Sequence, residues 1–353
     1  MKSMSGFPVR TAIRGSGPAR VGFIIGIRLS IRGTLDRRRQ VTPNPRSSVM
    51  SLAKPITPHL WFDTQAREAT QFYCSVFPDS QVDSIVTLQD TPSGDCDVVS
   101  FTLHGQPFMA ISAGPLFKFN PSVSFIVNFD PSREPDAVAR LERTWEALVH
   151  GGQVLMPLDA YPFSKRYGWL QDRYGLSWQL LLADPSGEPR PAIVPSLLFT
   201  GDVCGKAEEA GGFYRSVFDG SQPGQLARYS EGMAPDRAGT LMYSDFRLGD
   251  TWFAAMDSAR EHGFGFNEAI SFMVHCRDQA EIDRHWEQLS SVPESEQCGW
   301  CKDRYGVSWQ ITPAVLGELM TSGDQTLVNR VTQAFLDMKK LDVAAIEAAA
   351  RGG

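Results

Sequence analysis

No stretch of the 353-residue chain is long and apolar enough for a bilayer. The longest candidate, Val21 to Leu29, is interrupted by Arg28, whereas a membrane helix needs roughly 18 to 20 such residues. A transmembrane reading is excluded, and no membrane partner is expected. Acidic residues are almost missing from the first fifty positions, where ten Lys or Arg face the single acid Asp36. That segment carries +9 and leaves −15 for the rest of a chain whose net charge is −6. It includes Arg37-Arg38-Arg39 and lacks helical or strand periodicity, so residues 1–50 read as a disordered basic leader or a mis-assigned start. A targeting peptide or a nucleic-acid arm is the alternative weighed against it; no nucleic-acid partner is expected. The six cysteines have no regular spacing, and no secretory signal precedes them. They read as free thiols in a reducing compartment, and so the chain as cytoplasmic.

What is present is a repeat. The 42% hydrophobic and 21% charged content is that of a folded, water-soluble protein long enough for two domains. The run Gly168 to Gln179 returns as Gly299 to Gln310 with nine of twelve positions identical. Phe72-Tyr73 returns as Phe213-Tyr214, Trp145-Glu146 as Trp286-Glu287, and Phe117-Lys-Phe119-Asn120 as Phe264-Gly-Phe266-Asn267, in the same order. A duplicated sequence predicts a duplicated fold. The copies span 55–182 and 192–312, joined by a Pro- and Gly-bearing linker over 183–191. A non-repeated extension follows over 314–353, with Val328, Val331, Phe335 and Met338 at helical spacing and Asp342 placed to cap a last Ala-rich turn.

Within copy one, Ile56 to Phe62 reads as a strand. Ala66, Ala69, Tyr73 and Val76 mark one face of a helix that begins after Asp63-Thr64, and three β segments follow. The order then restarts at Val123, with Ala137, Leu141, Trp145 and Leu148 on one helical face. Each copy is thus a pair of βαβββ modules. The fold class is α+β: each copy is expected to form one curved mixed sheet, covered by helices on one face and free to enclose a ligand on the other.

Pro55-Ile56-Thr57-Pro58, Ala69 with Phe72-Tyr73 and Val76-Phe77, and the closing run Tyr167 to Gln179 resemble the opening, first helix and closing strands of PhnB-like proteins. These belong to the vicinal-oxygen-chelate (glyoxalase, bleomycin-resistance, dioxygenase) superfamily. The resemblance covers both copies, and Met338 to Asp342 is similar to the family's C-terminal extension. Such sequences often carry a 3-demethylubiquinone methyltransferase label. Methyl transfer normally uses a Gly-rich turn between strand and helix; Gly151-Gly152 instead follows a helix, and Gly211-Gly212 lies inside one, as a weak spot.

The resemblance also implies where a divalent metal would sit: His and Glu side chains on the first, fourth, fifth and eighth strands. On the eighth strands the position holds Gln179 and Gln310, neutral amides that bind a cation less well than a carboxylate. On the first strand it falls on Pro58, one residue from His59, and a one-residue shift changes the face; copy two has Ser196. The fourth-strand residues are Ser112 and Asp257, and the fifth-strand residues Ser122 and Ala269. His59 and Gln179 are the pair that would hold a metal in the first domain, with buried hydrogen-bonding groups as the alternative.

The cavity candidates are His59, Trp61, Ser112, Ser177 and Gln179, with Asp257, Ser308 and Gln310 from the second copy. Alternation along Leu176 to Leu180 puts Trp178 in the core and Ser177 and Gln179 on the open face. Asp172-Arg173 and Asp303-Arg304 read as turn carboxylates bonded to backbone amides. Cys298-Gly-Trp-Cys301 lies on a predicted strand, where residues three apart face opposite sides, so a shared metal or disulfide is not expected. The insertion Gly151 to Arg166, with Tyr161-Pro162-Phe163, reads as a lid over a better-formed site in copy one. Three functions stand side by side: a binder of a small hydrophobic or aromatic molecule, a metal-dependent lyase, isomerase or dioxygenase, and an assembly module. In the last the duplication replaces a homodimer, giving a homo-oligomer or a pseudo-dimer within one chain.

Overall fold

The computed structural model describes residues 56–352, so the basic leader lies outside the described residues. The first module runs β1 (Ile56–Phe62), α1 (Ala66–Val76), β2 (Gln81–Thr91), β3 (Gly94–Leu103) and β4 (Gln106–Ser112). The second runs β5 (Val123–Phe129), α2 (Ala137–Val149), β6 (Gln153–Tyr161), β7 (Ser164–Gln171) and β8 (Ser177–Leu182). Copy two opens with β9 (Ile193–Phe199), α3 (Ala207–Val217), β10 (Gln222–Arg228), β11 (Leu241–Leu248) and β12 (Thr251–Asp257). It ends with β13 (Ile270–Cys276), α4 (Gln279–Leu289), β14 (Trp300–Lys302) and β15 (Ser308–Pro313). Helices α5 (Ala314–Met320), α6 (Gln325–Leu336) and α7 (Val343–Arg351) follow. Among the described residues no helix is long and apolar enough to cross a membrane.

The strands form two mixed sheets, as the fold class requires, but the modules pair across the copies. One sheet has the order β14-β15-β13-β1-β4-β3-β2 and the other β10-β11-β12-β9-β5-β8-β7-β6. Each therefore joins the first module of one copy to the second module of the other. The central pairs are antiparallel, β1 on β13 from Ile56↔Val274 to Leu60↔Ile270, and β5 on β9 from Val123↔Leu197 to Val127↔Ile193. The expectation that each copy closes its own sheet is corrected.

Every module has two surfaces to satisfy, an apolar helical face and an unpaired edge on its first strand. The partner from its own copy covers the first surface. In copy one, Phe108 on β4 meets Phe125 on β5 at 5.2 Å between centroids, and Tyr73 and Phe77 at the end of α1 pack on Trp178 of β8. Copy two repeats this with Phe253 on Phe272 and with Tyr214 and Phe218 on Trp309. The module from the other copy supplies the strand edge. Reciprocal bonds tie the copies: Asn120 donates to the Gly265 carbonyl at 3.0 Å and Asn267 to the Lys118 carbonyl at 2.8 Å.

Apolar spacing accounts for the helices, whose buried positions include Ala66, Ala69 and Tyr73 in α1 and Ala137, Leu141 and Leu148 in α2. The start of α1 differs from expectation. Neither Asp63 nor Thr64 caps it; the Ala66 amide donates instead to Ser112 Oγ, supplied by β4. Gly211 in α3 is more than a weak spot, since a Cβ there would stand 3.2 Å from Phe246. The Gly151 to Arg166 insertion is an extended hairpin, β6 to β7, rather than a loop.

The C-terminal extension packs as helices, with Val331, Phe335, Leu341 and Ile346 forming its own small core. Asp342 accepts from the Ala345 amide and so caps α7. The extension reaches both edge strands of the seven-stranded sheet. Gln325 donates to the Thr87 carbonyl of β2, and Cys298 and Gly299, just before β14, donate to Met338 and Lys339 carbonyls at 2.7 Å.

Candidate functional site on the seven-stranded sheet

Along β1, Ile56, Leu60 and Phe62 belong to the core under the helices. Alternation then sends Thr57, His59 and Trp61 to the face opposite the helices. The face of His59, left open by the sequence, is thereby assigned. His59 sits between Met109 of β4 and Ser271 of β13, and the row continues to Ser308 of β15 and Lys302 of β14. Trp61 lies beside Ile111, which Val98 flanks on its other side, and Trp300 lies beside Gln310. Trp61, Val98, Met109, Ile111 and Trp300 are half-buried, so this strip of sheet is lined by partly accessible apolar and aromatic groups.

His59 is only 3% exposed, and its Nδ1 has no hydrogen-bond partner among the described residues. Burial lowers its pKa from 6.5 to about 3, because an imidazolium there would lose its hydration without gaining a counter-charge. The ring is neutral near pH 7 and stands edge-on to Trp300, 5.5 Å between centroids. Trp61 makes similar edge contacts with Trp300 at 6.1 Å and Phe117 at 5.1 Å, and its indole N–H donates to the Gly114 carbonyl. Gln310 is held by Nε2 donating to Ser271 Oγ at 2.9 Å.

In the eight-stranded sheet the groups around Gln179 bond to one another, whereas the buried Ser196 hydroxyl has no hydrogen-bond partner among the described residues. Gln179 donates to Ser124 Oγ at 2.7 Å and accepts from the Tyr167 hydroxyl at 2.7 Å, while the Trp169 indole donates to Ser177 Oγ. Tyr161 and Phe163, at the tip of the β6–β7 hairpin, pack on Tyr167. The position of His59 is taken by Ser196. The repeat aligns Tyr167 with Cys298, so Gln310 has no matching tyrosine. The comparison of a better site in copy one with a poorer one in copy two is corrected, because neither sheet belongs to a single copy.

The expected metal pair is also not assembled: His59 lies on β1 of one sheet and Gln179 on β8 of the other. Around His59 stand Ser271, Ser308, Gln310 and Met109, one imidazole with no free carboxylate, and two or three such groups do not fit a divalent ion. Among the described residues no three His, Cys, Asp or Glu side chains converge as a metal site would require. Ser112 and Asp257 lie on the helix-covered faces of their sheets. Ser112 receives the Ala66 amide, and Asp257 Oδ1 receives the Gly205 and Ala207 amides at 2.7 and 3.1 Å. The register next to Phe62 and Phe199, both core residues, dictates that direction.

Asp172 is a buried structural acceptor. Its Oδ1 takes the Tyr174 and Leu176 amides and its Oδ2 the Tyr73 hydroxyl and Trp178 indole. Asp303 repeats all four bonds, and Arg173 and Arg304 each lie 3.9 Å above Phe72 and Phe213. Trp178 and Trp309 are core, as alternation predicts. Cys298 precedes β14 at φ 52°, not within a strand, and its thiol contacts the Leu336 carbonyl, whereas Cys301 is buried in the core. Two cavities occupy equivalent places at the ends of β1 and β9. One of 290 Å³ adjoins Trp61, Phe117 and Tyr174, and one of 860 Å³ adjoins Cys204, His262 and Tyr305. Met109, Ile111 and Met273 were not singled out by the sequence; the alternation of β4 would have found the first two once its pairing with β1 was known.

The family model described as 3-demethylubiquinone-9 3-methyltransferase matches residues 54–181 and again residues 191–312. The chain belongs to this family. Its tandem family domains thus coincide with the repeated halves. Solved structures similar to this tandem member of the 3-demethylubiquinone-9 3-methyltransferase family include a PhnB protein of Bacillus cereus, described by that same methyltransferase name. It is 37% identical over 36% of this chain and 98% of its own, with a TM-score of 0.32. A protein from Staphylococcus aureus is 31% identical over 37% and 98%, TM-score 0.16. Glyoxalase I from Zea mays is 11% identical over 74% and 94%, TM-score 0.44. No curated protein matches the chain.

Proposed function

We propose that the protein binds a small molecule on the face of its seven-stranded sheet that the helices α1 and α4 do not cover. The observation that carries this reading is the Nδ1 of His59, buried yet without a hydrogen-bond partner among the described residues, beside half-buried Trp61, Met109 and Trp300. A buried polar group left unpaired costs about 1 to 3 kcal/mol, a cost that a ligand's hydrogen bond would relieve. In the eight-stranded sheet Gln179 is bonded through both ends of its amide and the His59 position holds the small Ser196 hydroxyl, with no aromatic corner beside it among the described residues, so that half is read as the scaffold. The duplication serves as a dimer within one chain, consistent with the reciprocal Asn120 and Asn267 contacts. Six free cysteines accord with a reducing, cytoplasmic setting.

The family description names a methyl transfer, and the geometry supports no such step. The glycine-bearing turn Gly201 to Gly205 between β9 and α3 has its Gly205 and Ala207 amides engaged by Asp257, so these two amides are spent within the fold. Binding without an assigned reaction is therefore the conclusion. Ligand-observed NMR with an apolar fragment set tests it, comparing the full chain with Met109→Trp, which fills the strip, and Leu181→Trp on the other sheet. The expected result is fragment binding lost only in Met109→Trp at unchanged Tm. Binding kept in Met109→Trp and lost in Leu181→Trp would refute the assignment.

A further inference from the structure

If the seven-stranded sheet holds the ligand, its lining also restricts what that ligand is. Trp61 and Trp300 meet at 78°, with Phe117 edge-on to Trp61, so the indoles form an apolar corner rather than two parallel walls. Val98, Met109 and Ile111 continue it on neighbouring strands. The charge on the row of His59 is paired: Lys302 meets Glu268 at 2.6 Å, and both side chains are about four-fifths buried. His59 Nδ1 is left without a hydrogen-bond partner among the described residues.

We infer that this strip takes an uncharged, flat aromatic compound bearing a hydroxyl group, its ring in the Trp61–Trp300 corner and its hydroxyl on His59. This inference rests on the proposed binding face. A hydroxyl both donates and accepts, so it meets either tautomer of a neutral imidazole. A carboxylate would lose its hydration with Lys302 already paired, and an ammonium would lose it with Glu268 already paired. The aromatic faces alone offer a cation roughly 0.5 to 2 kcal/mol, less than the several kcal/mol that removing an ion from water costs.

Calorimetric titration of the full chain with four probes of one ring system tests this: naphthalene, 2-naphthol, 2-naphthoate and protonated 2-naphthylmethylamine. The expected order is 2-naphthol tightest, with both ions at least about tenfold weaker, a difference of about 1.4 kcal/mol. His59→Phe is expected to abolish the preference of naphthol over naphthalene while naphthalene still binds. His59→Gln, which keeps a hydrogen-bonding group and guards against a folding defect in the first variant, is expected to recover part of that preference. Equal binding of either ion, or a naphthol preference that survives in His59→Phe, would overturn the inference while leaving the binding face intact. Failure of all four probes, or binding undisturbed by Met109→Trp, would overturn the face and the inference with it.

Discussion

Titration of His59 offers a direct test of the buried neutral imidazole. Its pKa in the folded protein is lowered by burial to about 3, against 6.5 when unfolded. Below pH 6.5 the unfolded chain takes up a proton that the folded one refuses. The stability that depends on a neutral His59 is thus complete above pH 6.5 and lost as pH falls toward 3. At about 1.36 kcal/mol per unit, the whole window is worth roughly 4 to 5 kcal/mol, and the step from pH 7.5 to 4.5 roughly 2.5 to 3 kcal/mol. No discount for solvent screening applies to a side chain 3% exposed. The assay is urea unfolding of the wild type and of His59→Gln at both pH values. Carboxylates and the other histidines, including His275, whose pKa burial also lowers, are common to both proteins and cancel in the difference. The wild type is expected to lose about 2 to 3 kcal/mol more than the variant between these pH values. Equal losses would mean that the imidazole is solvated or paired, and the site argument built on it would fall.

Two further predictions concern the scaffold. Asp172→Ala strands two backbone amides, the Tyr73 hydroxyl and the Trp178 indole. At about 1 to 3 kcal/mol per stranded group with incomplete additivity, a loss of about 4 kcal/mol or more is expected by chemical denaturation. Asp303→Ala should match it, and a loss under about 1 kcal/mol in either would contradict the clamp. Gly212→Ala meets nothing within 4 Å and should gain about 0.5 to 1 kcal/mol of helix propensity. Gly211→Ala forfeits that gain against Phe246, so its Tm should lie below that of Gly212→Ala; the reverse order would show that α3 lies less tightly on its sheet.

Much of this was legible without coordinates. Repetition of the Gly168 to Gln179 run exposed the duplication, and helical spacing marked α1, α2 and the C-terminal helices. Strand alternation put Trp178 in the core, and the turn chemistry of Asp172 pointed to backbone amides as its partners. These features rest on local periodicity and on side chains whose partners lie nearby or recur in fixed order. Ser112 and Asp257 were misread for the converse reason: the helix ends they serve come from residues far away in sequence, Ala66 and Ala207.

The sequence by itself determined the four modules, their order and the apolar face each must bury. Only the tertiary structure decided which modules share a sheet. Segments 113–122 and 183–192 are equal in length, and the first strands of all four modules offer similar edges, so both pairings satisfy the same local rules. Packing broke the tie, because each apolar face is buried against its own copy while each strand edge is completed by the other. That choice carries His59 to Gln310 rather than to Gln179, and with it the identity of the candidate site.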